Sequence, residues 1–372
     1  MPENSAACMA KVLAPSLTVQ KVPYPESLPE GHLLVRNAAV AINPIDWIIQ
    51  ERGDLAYPHL KPPIILGHDV AGEVVAVGKG VTRFHIGDRV CGLASGTVKQ
   101  VNDRAQGGFQ NYTILQQDWT SHVANPGISL ELASVMPLGV FTAAAALFDP
   151  TCLGMQLPTE PRQAPTGGTV IIWGASSSVG CCAVQLAVAA GYQVFATASP
   201  RNHDLVRQLG AGNVWDYRSG SVVDDIVAAL KGASVAGAVS IGDGAAEKCM
   251  DILQKTTGGK KHVALVTFPL PEKKNPPFVA LRTVVDMVSW MATYKAKGAL
   301  SGVSSGLVLI RALDKSGVGR YVAAEYLPKA LEAGTFVPAP EAEVVGHGLE
   351  AIQDALARQK KGVSAKKIVV TL

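Results

Sequence analysis

The chain has 372 residues, long for a single core and suited to two domains. Hydrophobic residues make up 48% of it and charged residues 17%, the balance of a globular chain with a large buried sheet. A formal net charge of +3, with no block of basic residues, argues against a nucleic-acid partner.

The first ten residues, MPENSAACMA, carry an acid at Glu3 and no basic region before an apolar run, so no secretory signal is expected. No window approaches about 18 uninterrupted apolar residues, and no membrane span is expected. Cys8, Cys91, Cys152, Cys181, Cys182 and Cys249 show no CxxC and no metal-finger spacing. Reduced thiols and a cytoplasmic location are the simplest account.

Residues 1–140 read as short strands and turns, with apolar runs at 32–40 and 69–78 and glycines at Gly67, Gly72, Gly78, Gly80 and Gly87 as punctuation. Residues 149–168 hold four prolines and no periodicity, and predict a loop. Strand-length apolar runs follow at 169–173, 193–198, 213–217, 236–241 and 262–268, with helical spacing between them at 179–190 and 222–230. That alternation predicts a parallel sheet with helices on both faces. Residues 269–300 read as irregular around Pro269, Pro271, Pro276 and Pro277, then helical. Helices near 321–333 and 348–358 and a strand at 367–372 close the chain. The basic run Arg358–Lys361, with Lys366 and Lys367, reads as a solvated helix end and turn.

The segment VIIWGASSSVGCCAVQLAVAAGYQVFATAS, residues 170–199, reads as strand, tight turn, helix and strand. A helix N-terminus presents unpaired N–H groups and a partial positive charge, and so suits a pyrophosphate. The GxGxxG fingerprint uses small residues to bring backbone against phosphate. Set on Gly180, that pattern keeps its third glycine and puts Ala175 and Ser177 at the other two positions. Ser176, Ser177 and Ser178 add hydroxyls, and with Val179 they form the candidate phosphate turn. The next strand decides the cofactor: NAD enzymes carry an acid near its end, whereas this strand ends in Ser199, with Arg201 just beyond. A neutral hydroxyl and a guanidinium suit the 2′-phosphate of NADPH. One strand later, Asp216-Tyr217-Arg218 can place the Tyr217 phenol or the Arg218 guanidinium beside the adenosine.

The segments AINPIDW (41–47), GHDVAGEVVAVGKGVTRFHIGDRV (67–90), MPLGVFTAAAAL (136–147) and the turn at 174–180 stand in the order seen in medium-chain dehydrogenases/reductases. Within that superfamily the chain resembles the zinc-independent quinone and enoyl reductase branch. It is especially similar to fungal trans-acting enoyl reductases of polyketide synthases, to which the proline-rich insert and the DYR triplet also point. The resemblance implies an α/β chain: a GroES-like, β-rich substrate domain of residues 1–140, completed by 313–372, around a Rossmann, doubly wound parallel-sheet domain of 141–312. It places the active site in the cleft between them. It assigns Asn43, Asp46 and Tyr57 to the catalytic set and puts Thr142 at the opening of a helix near the nicotinamide and phosphates. It brings the loop 266–270, through Val266 and Phe268, onto the nicotinamide amide. Trp47 and Ile48 are assigned to the substrate pocket.

Zinc enzymes of the superfamily carry a cysteine where this chain has Asn43-Pro-Ile-Asp46, and a GHE motif where it has Gly67-His68-Asp69. Residues 92–120 contain no cysteine, so the structural zinc loop is missing too. A catalytic zinc needs three protein ligands, so His68 reads as a packed, hydrogen-bonded residue and no metal is expected. Close relatives have lysine where Ile48 stands, which removes a charge and a donor. The expectation is an NADPH-dependent reductase of the carbon–carbon double bond in an α,β-unsaturated thioester, ketone or quinone, with a polyketide synthase as partner. The alternative is a non-catalytic or repurposed NADPH-binding partner on the same fold.

Overall fold

The computed structural model describes residues 2–268 and 279–372, leaving aside the side chains of 54–56, 279–284 and 287. The chain divides into two compact units, Met1–Leu138 with Ala323–Leu372, and Gly139–Val322. The expected boundaries lay at 140/141 and 312/313.

In the first unit the strands are β1 (Asn4–Met9), β2 (Thr18–Val22), β3 (His32–Ala41), β4 (Ile64–Ile65), β5 (Asp69–Val77), β6 (Arg89–Leu93), β7 (Tyr112–Gln116) and β8 (Thr120–His122). A three-stranded sheet runs β2-β1-β4. The larger sheet is built on β3, which pairs antiparallel with β5 and with β7, while β5 leads on to β6 and β8. Val35, Val40, Val70 and Val90 from these strands form one core with Leu66 and Phe109.

The strands-and-turns expectation for 1–140 missed a helix, α1 (Pro44–Ala56). Its start is local chemistry: Asn43 is extended at φ −117°, Pro44 pre-sets the first helical φ, and Asp46 accepts the Asn43 N–H at 2.8 Å. Two further helices, α2 (Leu130–Ser134) and α3 (Pro137–Phe148), carry the chain toward the second unit. The stretch Leu130–Phe148 is long and apolar enough to cross a membrane by length and composition alone, and 72% of its window is buried in the fold.

The second unit holds β9 (Gly168–Trp173), α4 (Ser178–Ala189), β10 (Gln193–Ala198), β11 (Asn213–Asp216), β12 (Ser234–Ser240), β13 (His262–Leu265) and β14 (Ser304–Leu307). All are parallel, in the order β11-β10-β9-β12-β13-β14. Counting from β9, that is 3-2-1-4-5-6, the doubly wound order with its switch point between β9 and β12. β14 was not expected, because Ser-Ser-Gly-Leu has little strand propensity and is held only by its pairing with β13. Residues Pro269, Leu270, Pro271, Pro276 and Pro277 lie outside the described residues, and a helix is present from Val279 to Ser301.

The chain then re-enters the first unit. The single helix expected at 321–333 is a short helix to Tyr321, a π turn at Val322–Tyr326 and a helix from Leu327. Pro328, which lacks an N–H, stands in the first turn of the helix that follows the π turn. The closing strands are β15 (Glu341–His347), which was not expected, and β16 (Lys366–Thr371), which pairs antiparallel with β3. All six cysteines are buried and outside any disulfide, and burial pushes the Cys91 and Cys181 thiols up to about 12.

Candidate functional site

Because the six strands of the second unit are parallel, their carboxyl ends share one edge, where such sheets bind ligands. The β9–α4 turn sits at the switch point. Gly174 holds φ +81°, and a Cβ there would lie 2.5 Å from the Ile241 carbonyl oxygen; a Cβ on Gly180 would collide with the Gly174 carbonyl. The substituted fingerprint has therefore kept glycine where backbone leaves no room.

Ser177 caps α4: its hydroxyl accepts the Gly180 N–H at 3.1 Å and donates to the Gly174 carbonyl at 2.8 Å. Ser176 accepts from the Asn202 amide at 3.3 Å. The N–H groups of Ser176, Ser178 and Val179 have no acceptor among the described residues, and the buried Ser178 Oγ has no partner. Three open donors at a helix N-terminus fit a pyrophosphate. Thr142 lies inside α3, which begins at Pro137, so it does not open the helix as expected.

At the end of β10, Ser199 is 8% exposed and its Oγ stands 3.5 Å from the Tyr217 hydroxyl. The Arg218 guanidinium lies 5.1 Å from the centre of the Tyr217 ring. The Ser199 hydrogen bond, then Arg218, hold the Tyr217 phenol below its ordinary value. Arg201 is exposed in the short turn after β10 and makes no hydrogen bond or ion pair among the described residues. Val266 and Phe268 follow the end of β13, and Val266 N–H is bound to the Ser240 carbonyl.

In the first unit, Asn43 and Asp46 belong to one buried polar cluster. Asp46 Oδ1 accepts from His68 Nδ1 at 2.7 Å, and His68 Nε2 meets the Thr97 hydroxyl at 2.9 Å. Asn43 donates its amide to Asp69 Oδ2 at 2.8 Å, and its carbonyl accepts from Lys367 at 2.6 Å. Lys367 also pairs with Asp69 at 2.9 Å, and Asp69 Oδ1 accepts the Leu138 N–H at 2.6 Å. All six side chains are at most 7% exposed. Both His68 nitrogens are engaged, and among the described residues no group of three or more His, Cys, Asp or Glu could hold a metal.

The sequence reading missed Lys367 and Thr97. Lys367 is the correction to the solvated basic run: it lies in β16 at 4% exposure. A lysine leading directly into Ile-Val-Val was the signal available.

Tyr57, the C-cap of α1, lines a cavity of about 210 Å³ with Met9, Val12, Ile49, Leu60 and Ile64. Burial, then the Asp46 charge, raise its phenol above the ordinary value. Trp47 and Ile48 are not among the lining residues. Trp47 donates its indole N–H to Gln359 at 2.6 Å under the Lys360 ammonium, and Ile48 is 8% exposed.

Residues 29–125 match the alcohol dehydrogenase GroES-like domain family. A dehydrogenase of Monascus ruber, pigH, is 51% identical over 372 residues, covering 100% of both chains. The trans-enoyl reductase himH of Aspergillus japonicus is 36% identical over 345 residues, covering 91% of this chain and 89% of that one. The crystal structure of CurK enoyl reductase superposes with a TM-score of 0.70 at 18% identity, covering 100% of this chain and 99% of that one. It shares the fold, a GroES-like domain with a Rossmann sheet.

Proposed function

The chain belongs to the medium-chain dehydrogenase/reductase superfamily, alongside fungal dehydrogenases and trans-enoyl reductases, and from that premise we propose that it is an NADPH-dependent enoyl reductase. Its substrate is an α,β-unsaturated thioester, ketone or quinone, with a polyketide synthase's acyl chain the natural form. It works in the cytoplasm without zinc.

The observation that carries this reading is the carboxyl edge of the second-unit sheet, with three open N–H donors at α4 and a neutral, cation-flanked end to β10. Ser176, Ser178 and Val179 would hold the pyrophosphate, and Ser199, Arg201 and Tyr217 the phosphorylated ribose. Bound there, the cofactor supplies a hydride. The charge that then develops on the substrate oxygen needs a donor already in place. Asn43 is held by Asp69 and Lys367, and Asp46 by His68 and its own helix start, which leaves Tyr57 as the donor we assign. Asn43 and Asp46 act by fixing α1, which positions Tyr57.

The test mixes protein and NADPH with a panel of enoyl thioesters and quinones and follows the absorbance of the reduced cofactor, with metal content measured alongside. Reduction of an enoyl thioester by zinc-free protein is the expected result. Tight NADPH binding with no panel member reduced would instead support the non-catalytic alternative. One tightly held zinc per chain would overturn the zinc-free mechanism.

A further inference from the structure

We propose that the apolar cavity beside α1 is a subsite for the hydrocarbon tail of the substrate, an inference that rests on the enoyl reductase reading and names the part of the substrate this unit selects. Its volume, about 210 Å³, decides what can enter. Pockets for whole small-molecule ligands run to roughly 300–1,000 Å³, so this one takes a fragment. It equals about seven water volumes, room for a short alkyl chain and not for a thioester with its carrier arm.

The walls are mostly apolar. Ile49, Leu60 and Ile64 are buried, Met9 is 1% exposed, and the Tyr57 phenol is the single polar side-chain group among the lining residues. None of the lining residues carries a carboxylate, amine or imidazole. Water has few partners there, whereas methylenes lose nothing by entering. Gly53 shapes the cavity, since any side chain at that position grows from α1 one turn before Tyr57. A Cβ there would meet the Ile49 methyl at 3.1 Å, a contact that a small side-chain shift relieves. Tyr57, its phenol raised by burial, supplies a hydroxyl donor in the wall of the subsite.

The experiment measures binding of saturated N-acetylcysteamine thioesters (butanoyl, hexanoyl, octanoyl and decanoyl) to the full chain by calorimetry. These probes cannot be reduced, so the result is independent of turnover. Affinity should rise roughly fourfold per added methylene until the cavity is full and then level off. Gly53→Leu should abolish the rise while leaving butanoyl binding and the melting temperature in place. Leu60→Ala should move the plateau to longer chains, and serves if Gly53→Leu fails to fold. Affinity flat across the series, or unchanged by both substitutions, would overturn the subsite. Reduction of crotonyl thioester by NADPH is assayed in parallel. If it occurs while the series is flat, the subsite alone fails. If neither it nor any enoyl thioester or quinone of the panel is reduced, the reductase reading fails, and the saturated series still decides whether the cavity takes alkyl chains.

Discussion

Arg201 stands exposed, without a partner among the described residues, two residues beyond the buried Ser199. A charged hydrogen bond is worth about 1.5–3 kcal/mol, so Arg201→Ala should weaken NADPH binding at least tenfold and leave NADH nearly unchanged. Titration of both cofactors checks this, and equal losses would make Arg201 structural. The same neighbourhood was open to the sequence because its chemistry is local: a strand end, a serine and an arginine within three residues. Lys367 was not, since its partners Asn43 and Asp69 come from the other end of the chain. Lys367→Met leaves Asp69 buried with two neutral donors, and removing one partner of a buried pair costs about 3–5 kcal/mol. Urea unfolding should show that loss, with much of it recovered in Lys367→Met/Asp69→Asn. A double variant no better than the single would mean that Lys367 acts by packing.

The β9–α4 turn was legible as an element, because period-2 and period-3.6 patterns meet at Gly174 and Gly180. α1 was hidden inside a strand-rich region, its short polar N-terminus standing out less than the glycines around it. Asn43 and Asp46 drew attention as chemistry when their first task is to start that helix. Gly180→Ala has no space against the Gly174 carbonyl, so it should abolish nucleotide binding while the protein remains folded; retained binding would show the turn is not the phosphate site. In the β13–β14 pair, His262 Nδ1 meets Ser304 at 2.8 Å, and its buried Nε2 has no partner among the described residues. Burial, then Lys260, lower its pKa below 6.5, so the folded state disfavours the proton that the unfolded chain accepts. That contribution to stability is complete above pH 6.5 and declines as pH falls below it. His262→Gln should flatten the dependence of the midpoint on pH in that window, and an unchanged slope would assign the effect elsewhere.

At the scale of the molecule, the first unit is made from both ends of the chain, and its last strand is a structural member. β16 joins β15 and β3, with Val369 opposite Ala41 and Val370 opposite Val40. Ile368, Val369 and Val370 are each at most 1% exposed, and Lys367 completes the polar cluster on α1. At about 1.5–3 kcal/mol for each buried aliphatic side chain, those three residues contribute an amount comparable to the ~5–15 kcal/mol that holds a whole domain. Deleting residues 363–372 should therefore unfold the first unit. The second unit takes none of its strands from that segment, since its sheet lies wholly within Gly168–Leu307. Limited proteolysis of the truncated chain should cut throughout 1–138 and leave a protected fragment of about the span Gly139–Val322 that still binds NADPH. A truncated chain as resistant as the full one would show that β16 is dispensable. Loss of both units together would show that the two do not fold independently.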